Sequence, residues 1–286
     1  MIFGVGLIGG SVALALKKAN QYAPHIVGVG RGESSLKIAL DLGVIDEASD
    51  NIEQALKGAD MVLIATPVAQ TPEILRAIKP HLTTSTIITD AGSTKSDVLS
   101  YAHNILGNLS AQFVGGHPIA GAEKSGVSAA NSELFLNKNV VLTPTDETQL
   151  NAINAVQEMW QTCGAKVTNM TASSHDSIFA AVSHLPHLLA FALVNDLATR
   201  PNADQLFDFA ASGFRDFTRI AGSSPEMWRD ISLANKTALL SELSTYQAEV
   251  SNLKTMLENE DAASLQALFE RASLARNAWA KSNENK

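Results

Sequence analysis

Near its start the chain reads Gly4-Val5-Gly6-Leu7-Ile8-Gly9. Glycines at this spacing are typical of dinucleotide-binding folds, because Gly4 permits a tight turn, Gly6 lets a pyrophosphate approach the backbone, and Gly9 lets a helix pack closely on a strand. The helix that follows presents free N–H groups to the phosphates. The alternative is a glycine-rich turn without a ligand. We expect a bound dinucleotide to contact five residues: Gly4, Gly6, Leu7, Ile8 and Gly9.

The first 170 residues alternate short apolar runs with helical stretches. Strands are predicted at 26–29, 61–65, 86–89, 112–114, 140–142 and 166–167, with helices between them that include 11–18, 72–78 and 150–162. Nearly continuous apolar strands are typical of parallel sheets covered on both faces, and the alternation indicates an open α/β sheet. We predict an α/β Rossmann-type dinucleotide-binding domain at residues 1–170.

The segment before the fingerprint is short. Only Met1 to Phe3 precede Gly4, whereas a strand of about five residues normally leads into such a turn. Either the first strand is unusually short or residues are missing upstream, and we favour the second explanation.

After residue 171 the strand-like runs stop. Helices are predicted at 178–197, 205–211, 227–257 and 262–280, separated by breakers such as Arg200-Pro201-Asn202 and Gly222-Ser223-Ser224-Pro225. We predict an all-α helical domain at residues 171–286 that binds substrate and dimerises. The long apolar helices suggest a homodimer through this domain, since they are too apolar for a small free-standing bundle.

Composition excludes several classes of protein. A net charge of -8 argues against binding nucleic acid, which needs clustered Lys and Arg. No apolar run approaches the ~18 residues needed to span a bilayer, so no membrane partner is expected. The single cysteine, Cys163, rules out an internal disulfide framework and fits a reducing compartment. We therefore predict a cytoplasmic protein.

The end of the second predicted strand bears on cofactor choice. It reads Gly28-Val29-Gly30-Arg31-Gly32, without the acid that normally accepts from the ribose 2′-hydroxyl of NAD. Arg31 can instead pair with the 2′-phosphate of NADP. We predict that the cofactor is NADP or NAD, with NADP favoured by Gly30 and Arg31. The alternative is that Arg31 is solvated and Glu33 binds the ribose.

Later strand ends add to the same edge of the sheet, where ligands of such folds bind. Thr66 and Pro67 follow one strand and are expected to contact the cofactor. Ser93 follows the next strand and is expected near the nicotinamide. Ser93 and Thr94 are also expected to cap the helix that follows.

A lone histidine, His117, lies in the glycine-rich stretch 115–126, with Glu123 six residues later. A neutral imidazole can take the proton of a substrate hydroxyl while hydride leaves its carbon. A lone histidine is more often structural, but one flanked by glycines and Pro118 has little apolar surface to pack on. His117 is therefore the candidate catalytic base.

The predicted helical domain opens with more histidines. His184 and His187, three residues apart, share a helix face beside Pro186, which removes a backbone donor and kinks the helix. No further ligand at metal spacing accompanies them, so we predict no metal and expect contacts to an anionic substrate. His175 is assigned only a structural role at the start of a helix.

Two arginines follow in the stretch Ser212-Gly213-Phe214-Arg215-Asp216-Phe217-Thr218-Arg219. Guanidinium groups recognise carboxylates well, so Arg219 is a candidate substrate ligand. The alternative is a surface ion-pair network with Asp216 and Asp230. Arg215 is the weaker candidate.

Six motifs together carry a resemblance: GVGLIGGS, DAGSTK, GGHPIAGAEKSG, VLTPT, SHLPHLLAFAL, and GFRDFTRIA followed by MWRD. In this order they resemble the prephenate/arogenate (cyclohexadienyl) dehydrogenases of tyrosine biosynthesis, essentially from end to end. The resemblance implies NAD(P)-dependent oxidative decarboxylation of prephenate to 4-hydroxyphenylpyruvate, or of arogenate to tyrosine. It also implies a dimer formed through the helical domain.

The resemblance also implies roles for individual residues. His117 would bind and deprotonate the ring hydroxyl, with the catalytic assistance of Ser93, and Arg219 would bind a substrate carboxylate. Aromatisation would drive the loss of CO2 without a dedicated base. The remaining substrate-binding candidates are Ser183, His184, His187, Ser212, Trp228 and Glu123.

Two rival hypotheses remain. A β-hydroxyacid dehydrogenase or imine reductase has the same α/β-then-helical layout, but gives no reason for the GGHPIAG motif or for Arg219. A redox sensor that binds NADP without turnover belongs to a different class. The sequence does not choose between prephenate and arogenate, although Glu123 and Trp228 favour prephenate.

Overall fold

The computed structural model describes residues 1–19, 24–30, 32–122 and 124–284. These form two compact units, Met1–Lys236 and Thr237–Lys286. The first unit contains the sheet and the helices around it, and it holds nearly every candidate site residue. The second consists of two long helices.

The first unit is built on an eight-stranded sheet. Its strands are β1 (Ile2–Phe3), β2 (Val27–Val29), β3 (Glu47–Ala48), β4 (Met61–Ile64), β5 (Ile87–Asp90), β6 (Phe113–Pro118), β7 (Asn139–Thr143) and β8 (Lys166–Asn169). The order across the sheet is β3-β2-β1-β4-β5-β6-β7-β8. The first six strands follow the order 3-2-1-4-5-6 of a doubly wound dinucleotide-binding sheet, which confirms the predicted Rossmann-type fold.

Helices flank the sheet and continue after it. Those of the first part of the chain are α1 (Leu7–Lys18), α2 (Glu33–Asp41), α3 (Ile52–Leu56), α4 (Thr71–Ile78), α5 (Ser96–Leu106) and α6 (Leu150–Thr162). The later ones are α7 (Ala172–Phe179), α8 (Leu185–Ala198), α9 (Ala203–Asp208), α10 (Ser212–Thr218), α11 (Pro225–Ala234), α12 (Lys236–Glu258) and α13 (Ala262–Glu284). The all-helical character predicted after residue 171 is confirmed.

The apolar strands are buried on both faces, as predicted. Along β4, Leu63 packs into one core, while its neighbours Val62 and Ile64 pack into the other on the opposite side of the sheet. Successive side chains of a strand point to opposite faces, so a strand covered on both sides has to be apolar throughout.

Two details of the sheet differ from the prediction. The strand β7 runs antiparallel to β6, with His117 opposite Val141, so the sheet is not parallel throughout. The strand β3 was missed, because its two residues, Glu47 and Ala48, carry no apolar run. In the given sequence the first strand spans two residues, Ile2 and Phe3.

The helical region also departs from its predicted bounds. One long helix was expected at 227–257, but α11 ends at Ala234 and α12 begins at Lys236. Between them, Asn235 is buried, and its side chain donates to the backbone oxygen of Asp176 at 2.8 Å. This long-range contact, invisible to helical periodicity, accompanies the break.

A π-helical turn, Ala180–His184, joins α7 to α8 just before Pro186. Proline lacks the N–H that would bond to the carbonyl four residues earlier, which favours such a local irregularity. By length and composition alone, the stretch Ala172–Ala198 would be able to cross a membrane, so the expectation that no run has this length was wrong. Its His175, Asp176 and His184 are buried and hydrogen-bonded.

Candidate active site

The glycine-rich turn has the geometry of a phosphate cradle. Gly4 has a φ of +83°, and a Cβ there would lie 2.7 Å from the oxygen of Ala65. A Cβ on Gly9 would lie 2.3 Å from the oxygen of Gly4, whereas one on Gly6 would meet no described atom within 4 Å. The fold therefore requires glycine at positions 4 and 9, while open space lies in front of Gly6.

The start of α1 is suited to an anion. The helix begins at Leu7, directly after Gly6, and none of the described side chains caps it. Its first turn contains Leu7, Ile8 and Gly9 and no acidic residue. The unpaired N–H groups and the dipole of the helix thus remain available to a phosphate.

A cavity of about 500 Å³ extends from this cradle. It opens where the sheet order reverses between β1 and β4, the usual ligand position in such folds. Thr66 and Pro67, both predicted to bind the cofactor, line it together with Gly4 and Gly6. The other lining residues include Gly30, Gly32, Ser35, Leu36, Ile52 and Ile74. These residues fit a bound dinucleotide, with apolar side chains for the adenine and a bare backbone for the pyrophosphate.

Three residues bear on the choice between NADP and NAD: Arg31, Glu33 and Ser35. Arg31 lies outside the described residues. Glu33, the alternative ribose ligand, is exposed on the first turn of α2 and is not among the described residues that line the cavity. Ser35 does line it and offers a hydroxyl.

A buried ion pair connects the cofactor edge to the candidate base. The Lys95 ammonium donates to Asp90 and, at 2.9 Å, to the backbone oxygen of Gly116. The Asp90 carboxylate also accepts from the backbone N–H of Gly92 at 2.8 Å and of Gly116 at 3.0 Å. Ser93 is half-buried in the loop between Asp90 and Lys95. This pair therefore ties the Ser93 loop to the residue before His117.

The cap of α5 does not come from Ser93 or Thr94, contrary to expectation. The backbone N–H groups of Lys95 and Ser96 donate to the carboxylate of Asp176, at 2.9 Å and 2.8 Å. An anion at a helix N-terminus satisfies its free donors and interacts favourably with the helix dipole. The cap comes from α7, 80 residues further along the chain.

His117 lies in β6, and its backbone pairs with β7. Because β6 runs parallel to β5, His117 is at the carboxyl edge of the sheet, where the cofactor cavity opens. Its ring is packed edge-on against Phe179, with centroids 4.9 Å apart. The Nδ1 atom of His117 lies 2.8 Å from Nε2 of His175, and Nδ1 of His175 lies 2.8 Å from the Asp176 carboxylate.

Burial sets the charge of this group of residues. Burial, with the charges of His175 and Lys95, holds the pKa of His117 well below its usual value of 6.5. Burial also lowers the pKa of His175. For Asp176, burial raises the pKa, but hydrogen bonds from His175, Ser96 and Lys95 outweigh it and lower the pKa to about 2. At neutral pH the arrangement is a neutral His117, a neutral His175 and an anionic Asp176.

A second group of candidate residues surrounds Trp228. The ring of His187 stacks on Trp228, with centroids 3.6 Å apart, and His187 Nδ1 donates to the backbone oxygen of Ser183 at 2.8 Å. Burial and the charge of Arg219 both lower the pKa of His187, outweighing the hydrogen bond to Ser183. The arrangement holds a neutral imidazole against an indole, within the electrostatic influence of a guanidinium.

His184 is also close to Trp228, with ring centroids 6.0 Å apart. It is buried, and its Nδ1 atom lies 3.1 Å from the side-chain nitrogen of Asn235. Since that nitrogen donates, Nε2 of His184 carries the proton, and no described atom accepts it. Burial, followed by the charge of His175, lowers the pKa of His184 to about 4. His184 and His187, which were expected to share a helix face, thus have Trp228 as a common neighbour.

The remaining candidates are at the surface or outside the described residues. Ser212 and Arg219 are exposed, at the start of α10 and just after its end. Arg215 is paired with Asp216 at 3.6 Å in solvent, as the alternative hypothesis expected. Asp230 is paired with Arg229 at 2.6 Å. Glu123 lies outside the described residues.

Sequence reasoning missed the residues that support the named ones. His175 was assigned to a helix start, yet it contacts His117; Lys95, Asp90 and Asp176 were not singled out. The available signals were weak: Asp90 and Lys95 bracket the DAGSTK motif, and a histidine and an aspartate are adjacent at 175 and 176. None of these signals indicates which partner lies across the fold.

The sheet order, the phosphate cradle and a neutral histidine at the cofactor edge together define a class. These three features are typical of a Rossmann-type oxidoreductase that uses a nicotinamide dinucleotide.

Comparison with known proteins narrows this class. Residues 12–169 match the family model described as prephenate dehydrogenase, nucleotide-binding domain, and residues 171–271 match prephenate dehydrogenase, dimerization domain. A prephenate dehydrogenase of Bacillus subtilis is 41% identical over 95% of this chain and 73% of its own length. The chain belongs to the prephenate dehydrogenase family.

Two solved structures are similar over nearly the whole chain. A prephenate dehydrogenase from A. aeolicus, in complex with hydroxyphenyl propionate and NAD+, has a TM-score of 0.90 at 38% identity, covering 96% of both chains. A Synechocystis arogenate dehydrogenase has a TM-score of 0.81 at 30% identity, covering 97% of this chain and 98% of its own.

Proposed function

We propose that this chain catalyses the NAD(P)-dependent oxidative decarboxylation of prephenate to 4-hydroxyphenylpyruvate. The observation that carries the proposal is His117, a histidine kept neutral by burial at the carboxyl edge of the sheet, which is the edge at which the dinucleotide cavity opens. The name of the similar Bacillus subtilis protein supports the same activity.

In the proposed reaction the role of His117 is to remove a proton. The O–H bond of the ring hydroxyl breaks and a bond forms between its proton and a ring nitrogen of His117, which becomes an imidazolium. A bound NAD(P)+ supplies the acceptor for the hydride that leaves the same ring carbon. The ring carboxyl group departs as CO2, and the electrons of its broken C–C bond complete the aromatic ring and leave a phenolate. No further base is needed for that step. The His117 imidazolium returns its proton to this phenolate oxygen, which gives the phenol and restores neutral His117.

The substrate is a dicarboxylate, which we propose is held by the residues around Trp228. The guanidinium of Arg219 suits a carboxylate. Neutral His187, fixed on Trp228, donates its Nδ1 proton to Ser183, so its Nε2 is free to accept a hydrogen bond from the substrate. Ser183 and His184 belong to the same π-helical turn, which immediately precedes His187, and we include both among the proposed substrate-binding residues. Ser212 and Glu123 are proposed to complete the substrate site, and Ser93 to assist His117.

For the cofactor we propose that NADP is preferred and that NAD is usable. The support is the absence of an acid at Gly30, together with Arg31 next to it in sequence. Without a carboxylate there, nothing at this position repels a 2′-phosphate. The similar A. aeolicus enzyme was solved in complex with NAD+, which supports the proposal that NAD is usable.

We propose that residues 1–170 form the dinucleotide-binding domain and that residues 171–286 bind substrate and form a homodimer through their helices. The exposed large apolar side chains of α12 and α13 support the dimer: Leu240, Tyr246, Val250, Leu257, Phe269, Leu274 and Trp279. Apolar surface of this extent is typical of an interface between subunits. We also propose a cytoplasmic location, consistent with one buried cysteine.

The direct test is kcat/KM for prephenate and for arogenate, each with NADP and with NAD, followed by the absorbance of the reduced cofactor. We expect turnover of prephenate, and His117→Asn should lower kcat roughly 10²–10⁴-fold while cofactor binding persists. Turnover of arogenate alone would establish the alternative, which the Synechocystis relative favours. Turnover of neither compound would overturn the proposal in favour of a reductase of another substrate or a redox sensor.

A further inference from the structure

Behind His117 there is a continuous chain of hydrogen bonds that ends on a buried carboxylate. His117 Nδ1 and His175 Nε2 are 2.8 Å apart, and His175 Nδ1 is 2.8 Å from Asp176. His175 is fully buried, and Asp176 is 6% exposed. Both residues belong to α7, whereas His117 belongs to β6, so this series of hydrogen bonds joins the helical part of the protein to the sheet.

The direction of every proton in this chain follows from its last member. The Asp176 carboxylate already accepts the backbone N–H groups of Lys95 and Ser96. An ionised carboxylate can only accept, so His175 must carry its proton on Nδ1 and leave Nε2 as an acceptor. Facing that acceptor, His117 carries its proton on Nδ1. The lone pair of His117 is therefore on Nε2.

We propose that His175 and Asp176 are positioning residues that hold His117 in its Nδ1–H form and so present its Nε2 lone pair as the base. The inference rests on the proposed function and adds two residues to it. The hydroxyl proton of the substrate moves to Nε2, and the Nδ1 proton stays on His117. The resulting imidazolium then donates to a neutral His175 that is itself backed by an anion.

The other groups near His117 do not replace this arrangement. Lys95 is a cation engaged by Asp90 and by the oxygen of Gly116, and His184 is bonded to Asn235. Neither is the acceptor for His117 Nδ1, because the Lys95 ammonium is a donor and His184 Nδ1 already accepts from Asn235. Free imidazole prefers its proton on Nε2, so the less common form has to be imposed by an acceptor at Nδ1. His175 is that acceptor.

The test compares two substitutions that conserve different properties of His175. His175→Phe keeps an aromatic ring to pack on Phe179, whose centroid is 4.5 Å away, but removes the acceptor. His175→Gln keeps an acceptor oxygen but loses the ring. A role limited to packing predicts that Phe is the better replacement, whereas the positioning role predicts Gln. Thr171→Ala, which removes the side-chain cap of α7, is the control for loosening the helix.

The primary readout is the tautomer of His117 in the free protein, from the 15N chemical shifts of its ring, with the signals assigned by their loss in His117→Asn. We expect the Nδ1–H form in the wild type, in Thr171→Ala and in His175→Gln, and the Nε2–H form in His175→Phe. In parallel, kcat should fall roughly 10²–10⁴-fold in His175→Phe and less than about 10-fold in His175→Gln. Affinity for the reduced cofactor should stay within about 3-fold of the wild-type value.

An Nε2–H tautomer in wild-type His117 would overturn the inference without any variant having to fold. So would a His175→Phe protein that turns over as fast as His175→Gln. Because the tautomer is measured without substrate, it is decided even if neither prephenate nor arogenate is oxidised. Failure of the proposed function is thus distinguishable from failure of the positioning role.

Discussion

Replacing Lys95 by Met should cost far more stability than its position in a loop suggests. The Lys95 side chain is fully buried, and its ammonium contacts the carboxylate of Asp90 and the oxygen of Gly116. Methionine keeps most of the apolar stem, so the loss is mainly that of the charge. What remains is a buried carboxylate without its cation.

Removing one partner of a buried ion pair typically costs about 3–5 kcal/mol. Asp90 would keep the backbone N–H groups of Gly92 and Gly116, at 2.8 Å and 3.0 Å, which places the expected loss near the low end, about 3 kcal/mol. This corresponds to a roughly 100-fold change in the unfolding equilibrium. For a domain of this size the melting temperature should fall by roughly 6–12 °C.

The assay is urea unfolding followed by far-UV circular dichroism. The matched control is Lys18→Met, because the ion pair of Lys18 with Glu133 is also short, at 2.7 Å, but about 60% of each side chain is exposed. An exposed pair contributes about 0–1 kcal/mol. Lys95→Met should also lower kcat, since Gly116 precedes His117, and Lys18→Met should not.

The double variant Asp90→Asn/Lys95→Met completes the cycle. Because the two groups are in contact, its loss of stability should be smaller than the sum of the single losses by about 0.5–3 kcal/mol. Equal stability losses in Lys95→Met and Lys18→Met, or strictly additive losses in the double variant, would refute the reasoning that this pair holds the edge of the site together.

Three further outcomes are expected. Gly6→Ala should leave the unfolding free energy within about 1 kcal/mol but weaken cofactor binding at least 10-fold in a fluorescence titration. Gly9→Ala should cost about 1–3 kcal/mol of unfolding free energy, because a Cβ at position 9, unlike one at position 6, would meet a backbone oxygen, at 2.3 Å. A larger stability loss in Gly6→Ala than in Gly9→Ala would contradict the proposed phosphate cradle. Burial raises the pKa of Cys163 to about 12, so iodoacetamide at about pH 8 should label it only in denaturant; rapid native labelling would show that the core opens. The free energy of unfolding should fall as the pH drops from 6.5 towards 4, because the pKa of His184 is lowered from 6.5 to about 4 in the fold and the unfolded chain binds the proton first. In unfolding titrations, His184→Gln should remove roughly 3 kcal/mol of that pH dependence. An unchanged pH dependence in this variant would exclude His184 as its source.

The parts of the fold that sequence predicts well are those in which local geometry dictates residue type. Glycine is required at positions 4 and 9 by contacts within the turn and with the neighbouring strand, so the spacing of these glycines can be recognised in the sequence. The apolar runs of β4 and β5 predict burial on both faces of the sheet. The candidate base His117 was singled out because its neighbours along the chain are glycines and a proline, although in the fold its ring packs on Phe179, which the sequence did not predict.

The supporting residues were not predictable because their partners are distant along the chain. His175 contacts His117 across 58 positions, and Asp176 caps α5 across about 80. Periodicity predicts that 178–197 is helical, but it carries no information about which sheet edge the helix meets. The break at Asn235 was missed for the same reason, because the contact that accompanies it is with α7, 59 residues away along the chain.

Residue order thus specifies a dinucleotide fold, a histidine at its edge and a helical second part, since each depends on interactions between near neighbours. The protonation of that histidine is a property of the folded molecule. The neutral state of His117 comes from burial, and the direction of its ring proton follows from His175 and Asp176, which reach it only when α7 packs against the edge of the sheet. Hydrogen bonds of this kind act over about 3 Å in space whatever the distance along the chain, so only the tertiary structure reveals them.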